Sequence, residues 1–424
     1  MILLGIFLAI VFLFSLISKR AQKTILTAPI VFTLAGMFAY LVMPESSQTT
    51  VDNKSVLVIG EITLALVLFT DATRINLRQV MHERQLPIRL LGIGMPLTIL
   101  LGGLIALVLF SDFSIWEAAI LATILAPTDA SLGAAIQHSK RVPTIIRRAL
   151  SIEGGLNDGL SIPLLMLFIG LASFGSRGED LSWIVFTAQQ IGFGVLVGLG
   201  VGWFGGWLAA TAEKRGWMTK AAQQLALIAI AIFSWWLAEK VVGGNGFIGA
   251  FIAGGLVRVG YQEAHERMTE FSEAWGDLLI YFVFFFFGML AMPEIGVIIA
   301  PIWIYAVLSL TLVRMLPVGL AMIGSKLHTS SILFLGWFGP RGLASIILGL
   351  IFLEEKTNLI VEPIIINAII ATVLLSVFAH GISSAPAINL YARRTAVMGS
   401  NSLEKQAIVE STSRGEELYG EDSE

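Results

Sequence analysis

Two aspartates stand where charge is costly. Asp129 lies in LAPTDASLG (125–133) and Asp158 in EGGLNDG (153–159), each inside a run apolar enough to cross a membrane. A charge near the bilayer centre costs at least about 2.5–3.5 kcal/mol on insertion scales, so such residues are functional candidates by default. The chemistry open to two buried carboxylates is competition, because a proton and a hard monovalent cation seek the same oxygen lone pairs. Glu153 and Asn157, spaced i, i+4, share a helical face, and Asp158 is rotated onward beside Gly154. A third polar stretch, GWFGPRGLAS (336–345), brings Arg341 to similar depth. An unpaired arginine is unfavourable there, and depth makes Glu153 its expected partner in a structural ion pair. Asp129 and Asp158 are then left without a fixed cation and can take a mobile one.

The elements carrying these residues are expected to be broken helices. Pro127 and Pro340 lack an N–H and clash one turn back, so helices five and twelve should open there, Pro127 freeing the carbonyl of Thr123. Irregular backbone at that depth is tolerated only where it is buried or lines a cavity. Pro163 should loosen the sixth helix in the same way.

The composition sets the frame. The chain has 424 residues, 56% hydrophobic and 13% charged, where soluble domains carry about 25% charged residues. Solid apolar runs, not alternating ones, predict an all-α polytopic membrane protein. Thirteen helices are expected, at about 2–17, 27–44, 55–73, 87–110, 115–137, 144–173, 184–210, 221–240, 245–258, 273–291, 296–324, 330–353 and 359–385. Most Lys and Arg fall in alternate connections, while only Lys54, Arg177, Lys240 and Lys356 fall in the others. By the positive-inside rule the N-terminus is outside and the C-terminus cytoplasmic. The first run has no basic n-region and reads as a retained helix rather than a signal peptide. Helices five and twelve are seven crossings apart, so 1–6 and 8–13 would be inverted six-helix repeats, whose paired broken helices mark a midplane site. Gly194, Gly198, Gly202 and Gly206 form a small-residue ridge expected to pack within the protomer. Residues 1–391 are the membrane domain; 392–424, ending EELYGEDSE, read as a disordered cytoplasmic tail. The absence of cysteine excludes disulfides and thiolate metal sites. No Walker sequence is present, since GLAMIGSK (319–326) lacks the Gly-Lys pair. No cofactor and no nucleic-acid partner is expected.

At APTDAS (126–131), EGGLNDG (153–159) and GPRGLAS (339–345) the chain resembles the monovalent cation–proton antiporter family, on the sodium/proton exchanger side with an Asn-Asp pair. LFTDATRINL (68–77) and GNGFIGAF (244–251) look like family segments too, so the resemblance covers about residues 1–390. It implies a core of helices 4–6 and 11–13 moving against a dimerising domain, and a homodimer in the cell membrane serving pH homeostasis. It implies an ion site of Asp158 and Asp129, with Thr128 nearby and Asn157 holding the site, and a clamp between Glu153 and Arg341. Electroneutral exchange of sodium, lithium or potassium for a proton follows from the same likeness. Two positions depart from it. Gly154 stands where many relatives have a coordinating Ser, a role that water or Ser161 is expected to take over, and Asp71 stands in for a Glu near the end of helix three.

Rival readings fall on specific residues. GLND (155–158) is near the GxGD of intramembrane aspartyl proteases, but the partner Tyr-Asp is missing because Asp129 follows Thr128. A channel would need a filter sequence of the TVGYG type, which is absent. A potassium/proton exchanger is the alternative within the family, and no further polar pocket supports a carrier of organic solutes.

Overall fold

A computed structural model describes residues 2–21, 26–42, 53–74, 85–129, 132–137, 139–174, 180–261, 275–355, 359–399 and 402–405. Among these the fold is all helical. The helices are α1 (Ile2–Ala21), α2 (Ala28–Val42), α3 (Asn53–Arg74), α4 (Gln85–Leu109), α5a (Ile115–Ile124), α5b (Ala134–Gln137), α6 (Thr144–Phe174) and α7 (Asp180–Lys214). There follow α8 (Lys220–Val242), α9 (Gly246–Gly260), α10 (Asp277–Glu294), α11 (Ala300–Ala321), α12a (Thr329–Trp337), α12b (Leu343–Glu354) and α13 (Glu362–Ala396). Each of the thirteen expected segments holds helix, and eight described helices are long and apolar enough to cross a membrane by themselves. The chain is a multi-pass membrane protein.

The two expected breaks are present. α5a starts on a capping box, in which Ser114 accepts from the Glu117 amide and Glu117 from the Ser114 amide. It ends at Ile124, and among the described residues beyond Pro127 the short helix α5b, Ala134–Gln137, follows. α12a and α12b are separated by Phe338–Gly342. α6, by contrast, runs unbroken through Pro163 for 31 residues.

Close packing sets the helices around these breaks. The glycine ridge of α7 lies on α9, where Gly198 faces the carbonyl of Gly249 and Gly206 that of Val257, so the ridge is spent inside the protomer. α9 also packs on α3, and α5a packs between α4 and α6. An apolar cluster of Leu86, Ile136, Leu150, Leu335, Phe338 and Tyr391 ties the ends of α4, α6, α12a and α13 together on the side of the basic connections. α13 continues past residue 391 to Ala396, and Ser402–Lys405 folds back as a short turn. Residues 406–424, the rest of the expected tail, lie outside the described residues.

Candidate functional site

The two helix breaks hold each other open. Where α5a stops, Ala126 donates its N–H to the Thr123 carbonyl at 3.3 Å, so that carbonyl is not freed by Pro127 as expected. The carbonyls of Ala126 and Pro127 do need donors, and both accept from Nη1 of Arg341, the latter at 2.8 Å. In return Asp129 serves the other break. Its N–H donates to the Pro340 carbonyl at 2.8 Å, and its Oδ2 accepts from the N–H of Leu343, the first residue of α12b, at 2.7 Å. A carboxylate at a helix N-terminus satisfies an orphan amide and meets the positive end of the dipole.

The glycines of GPRGLAS (339–345) make room for this. A Cβ on Gly342 would stand on the carboxylate of Asp129, and one on Gly339 on the guanidinium of Arg314. The motif is therefore shaped by two side chains from other helices, and not only by the need to unwind.

Arg314 also corrects the expected ion pair. Glu153 is not held by Arg341. Both its oxygens are held by Arg314 of α11, Nη2 to Oε2 at 2.8 Å and Nη1 to Oε1 at 2.5 Å, with both residues buried. Depth alone could not choose between two arginines. Arg341 is drawn instead to carbonyls that a proline break leaves without helical donors, work that suits its five N–H groups.

From α13, Ser376 accepts the N–H of Arg341 at 2.6 Å, and Nε2 of His380 contacts the Trp337 carbonyl at 2.8 Å. Its Nδ1 lies 3.0 Å from the Ser376 carbonyl and 3.2 Å from the Ser376 hydroxyl, so the ring bridges α13 to the end of α12a. The sequence singled out neither residue, since a lone His and a lone Ser on an apolar helix carry no spacing signal.

The oxygens on the α6 side remain. Asn157 donates from Nδ2 to Oγ1 of Thr128 at 2.8 Å, which ties α6 to the first break. Its Oδ1 is buried with no hydrogen-bond partner among the described residues. The same is true of Oδ1 of Asp158, a residue only 8% exposed. Asp71 and Asp129 are the acidic neighbours of Asp158. Asp71 reaches this region because α3 crosses α6 at Gly155, over which its Cβ stands. Ser161 is buried and donates to the Asn157 carbonyl at 2.8 Å. On the other flank, Phe251 of α9 covers Gly159. A small cavity of about 10 Å³, room for about one water molecule, lies nearby, lined by Thr128, Asp129, Gly154 and Pro340 and by Ile136, Gln137 and Leu150. Gly154 is one turn from Asp158 along α6. Buried oxygens that lack donors are costly to leave empty, and a cation or a proton is what they can take up.

A family model described as "Sodium/hydrogen exchanger, transmembrane" matches residues 2–390. This chain belongs to the sodium/hydrogen exchanger family. The family is one of transporters, so the protease reading falls. A probable Na(+)/H(+) antiporter of Schizosaccharomyces pombe is 25% identical over 56% of this chain and 33% of its own length. The K(+)/H(+) antiporter NhaP of Alkalimonas amylolytica is 26% identical over 91% of this chain and 65% of its own. The chain thus spans one third to two thirds of these relatives. In structure it is similar to the sodium proton antiporter MjNhaP1 from Methanocaldococcus jannaschii, with a TM-score of 0.74 at 20% identity, covering 94% of this chain and 99% of that one. The sodium/hydrogen exchanger architecture therefore extends over the whole membrane part.

Proposed function

We propose that this protein is a secondary antiporter, exchanging a monovalent cation for protons at a site centred on Asp158. The observation that carries the reading is the pair of buried oxygens, Oδ1 of Asp158 and Oδ1 of Asn157, that have no hydrogen-bond partner among the described residues. Asp158 binds either cation or proton, and the site crosses between orientations only when one of them is bound. Asp129 contributes charge while its Oδ2 caps α12b, and Thr128 and Asn157 complete the oxygen set. Asp71 and Ser161 stand in support, Asp71 through its charge and Ser161 by fixing the Asn157 carbonyl. Exchange proceeds by alternating access, in a homodimer in the cell membrane with a cytoplasmic C-terminus. The core of helices 4–6 and 11–13 moves against the remaining helices.

Sodium is the first expectation for the cargo, with lithium behind it. Potassium is a second reading with its own support. A potassium/proton relative aligns over 91% of the chain, and Gly154 leaves the cavity without a side-chain oxygen at that point. The deciding experiment reconstitutes the purified protein in liposomes loaded with a pH-sensitive dye. Sodium, lithium and potassium are then added in turn. Proton movement driven by one or more of them supports antiport and ranks the ions. A dye signal indifferent to all three defeats the proposal.

A further inference from the structure

The described chain continues beyond α13, and four of its last residues are bound at both ends. Leu403 packs into the apolar cluster that includes Phe338 and Tyr391 and also the cavity walls Ile136 and Leu150. Glu404, though charged, is only 6% exposed. Its Oε1 accepts from the N–H of His328 at 2.8 Å and from the hydroxyl of Ser331 at 2.7 Å. The Ser331 oxygen accepts in turn from the Tyr391 hydroxyl at 2.8 Å. His328 is the N-cap of α12a, so the carboxylate sits where the helix dipole is positive. At the other end Nζ of Lys405 reaches the carbonyls of Ala396 and Met398, at the C-terminus of α13. Burying a carboxylate costs desolvation that a merely solvated tail avoids, so the segment is held by specific bonds.

The far end of α12a is the ion-site break. The helix is nine residues long, and directly after Trp337 come the Pro340 carbonyl and the Arg341 guanidinium that face Asp129 and its neighbours. A helix this short carries a displacement at its first turn to its last.

We propose that Ser402–Lys405 is an intramolecular latch and that Glu404 is a positioning residue for the cation site. Its carboxylate fixes the start of α12a, and through that helix it sets the break against Asp129. The latch rests on the antiport reading, because cation affinity is what it is proposed to tune.

The test uses the full-length chain, wild type and with Glu404→Ala, Glu404→Gln and Lys405→Ala. Two quantities are read: amide hydrogen exchange of Thr329–Trp337 in detergent, and the apparent KM for the transported cation in proteoliposomes. Glu404→Ala is expected to speed exchange in α12a and to shift the KM about fivefold or more, the usual range of coupling between sites. Glu404→Gln keeps a carbonyl that accepts both hydrogen bonds, so it should restore slow exchange and the wild-type KM. A folded Glu404→Ala protein with wild-type amide exchange or wild-type KM overturns the latch. If Glu404→Ala does not fold, Lys405→Ala is read in its place, and an unchanged KM there overturns the latch equally. Wild-type protein that moves no protons in response to cations defeats the antiport reading alone, and the amide-exchange comparison still decides whether Glu404 holds α12a.

Discussion

Asp129 and Arg341 each secure the helix break to which the other belongs. Asp129, from the break between α5a and α5b, caps the first amide of α12b, while Arg341, from the break before α12b, binds the carbonyls left open at the end of α5a. The exchange is reciprocal, as the inverted arrangement of two broken helices would suggest. It also gives Asp129 a structural duty, while Oδ1 of Asp158 is buried with no hydrogen-bond partner among the described residues.

A side chain at residue 342 should break this arrangement. Gly342→Ala places a Cβ on the Asp129 carboxylate and forces the cap away from the Leu343 amide. Leaving a buried donor unpaired costs about 1–3 kcal/mol. The expected result is a lower melting temperature in detergent together with loss of exchange. A variant that melts and transports like wild type would mean that the carboxylate stands elsewhere.

The two buried arginines should respond differently to loss of Glu153. Arg314→Ala strands Glu153 as a buried, unpaired charge, at a cost of about 3–5 kcal/mol. Adding Glu153→Gln to Arg314→Ala should recover much of that loss. The same addition to Arg341→Ala should recover nothing, because Arg341 serves the carbonyls of Ala126 and Pro127. Chemical or thermal unfolding of the single and double variants forms the cycle that checks this. Rescue of Arg341→Ala by Glu153→Gln would return the ion pair to the partner first expected from depth.

Asp158→Asn should abolish exchange without unfolding the protein. Oδ1 of Asp158 has no hydrogen-bond partner among the described residues, so an amide in its place breaks no known bond there while removing the charge. The measurement is dye response in liposomes beside the melting temperature. Cation-driven proton movement in this variant would refute the assignment of Asp158.

How far the sequence carried the argument follows from what each signal encodes. Helix positions were legible because apolar length and charge alternation are one-dimensional properties, and Pro127 and Pro340 announced both breaks. The partner of Glu153 was not legible, since depth along a helix says nothing of the direction a side chain takes around it. Two arginines for one glutamate, one of them beside a proline break full of open carbonyls, was the signal that separates Arg314 from Arg341. Ser376 and His380 had no such mark; each matters only because α13 packs on the second break. Glu404 was hidden for the opposite reason, since an acidic, polar segment reads as tail whether or not one of its carboxylates is bound.

The cavity beside Asp129 makes the last prediction, and the absence of cysteine makes it direct to test. Gln137 lines that cavity at the end of α5b, on the side of the basic connections, which the proposed orientation makes cytoplasmic. If cations reach the site by this route, Gln137→Cys introduces the only thiol of the chain onto the path. In vesicles of known orientation, a membrane-impermeant thiol reagent applied from the cytoplasmic side should label it. The same reagent from the opposite side should not. The transported cation, bound near Thr128 and Asp129, should slow labelling, and a charged adduct at residue 137 should block exchange. Labelling from the opposite side only would place the access route on the other face of the membrane. Full labelling that leaves exchange untouched would take Gln137 off the path while leaving the roles of Asp158 and Asn157 as they stand.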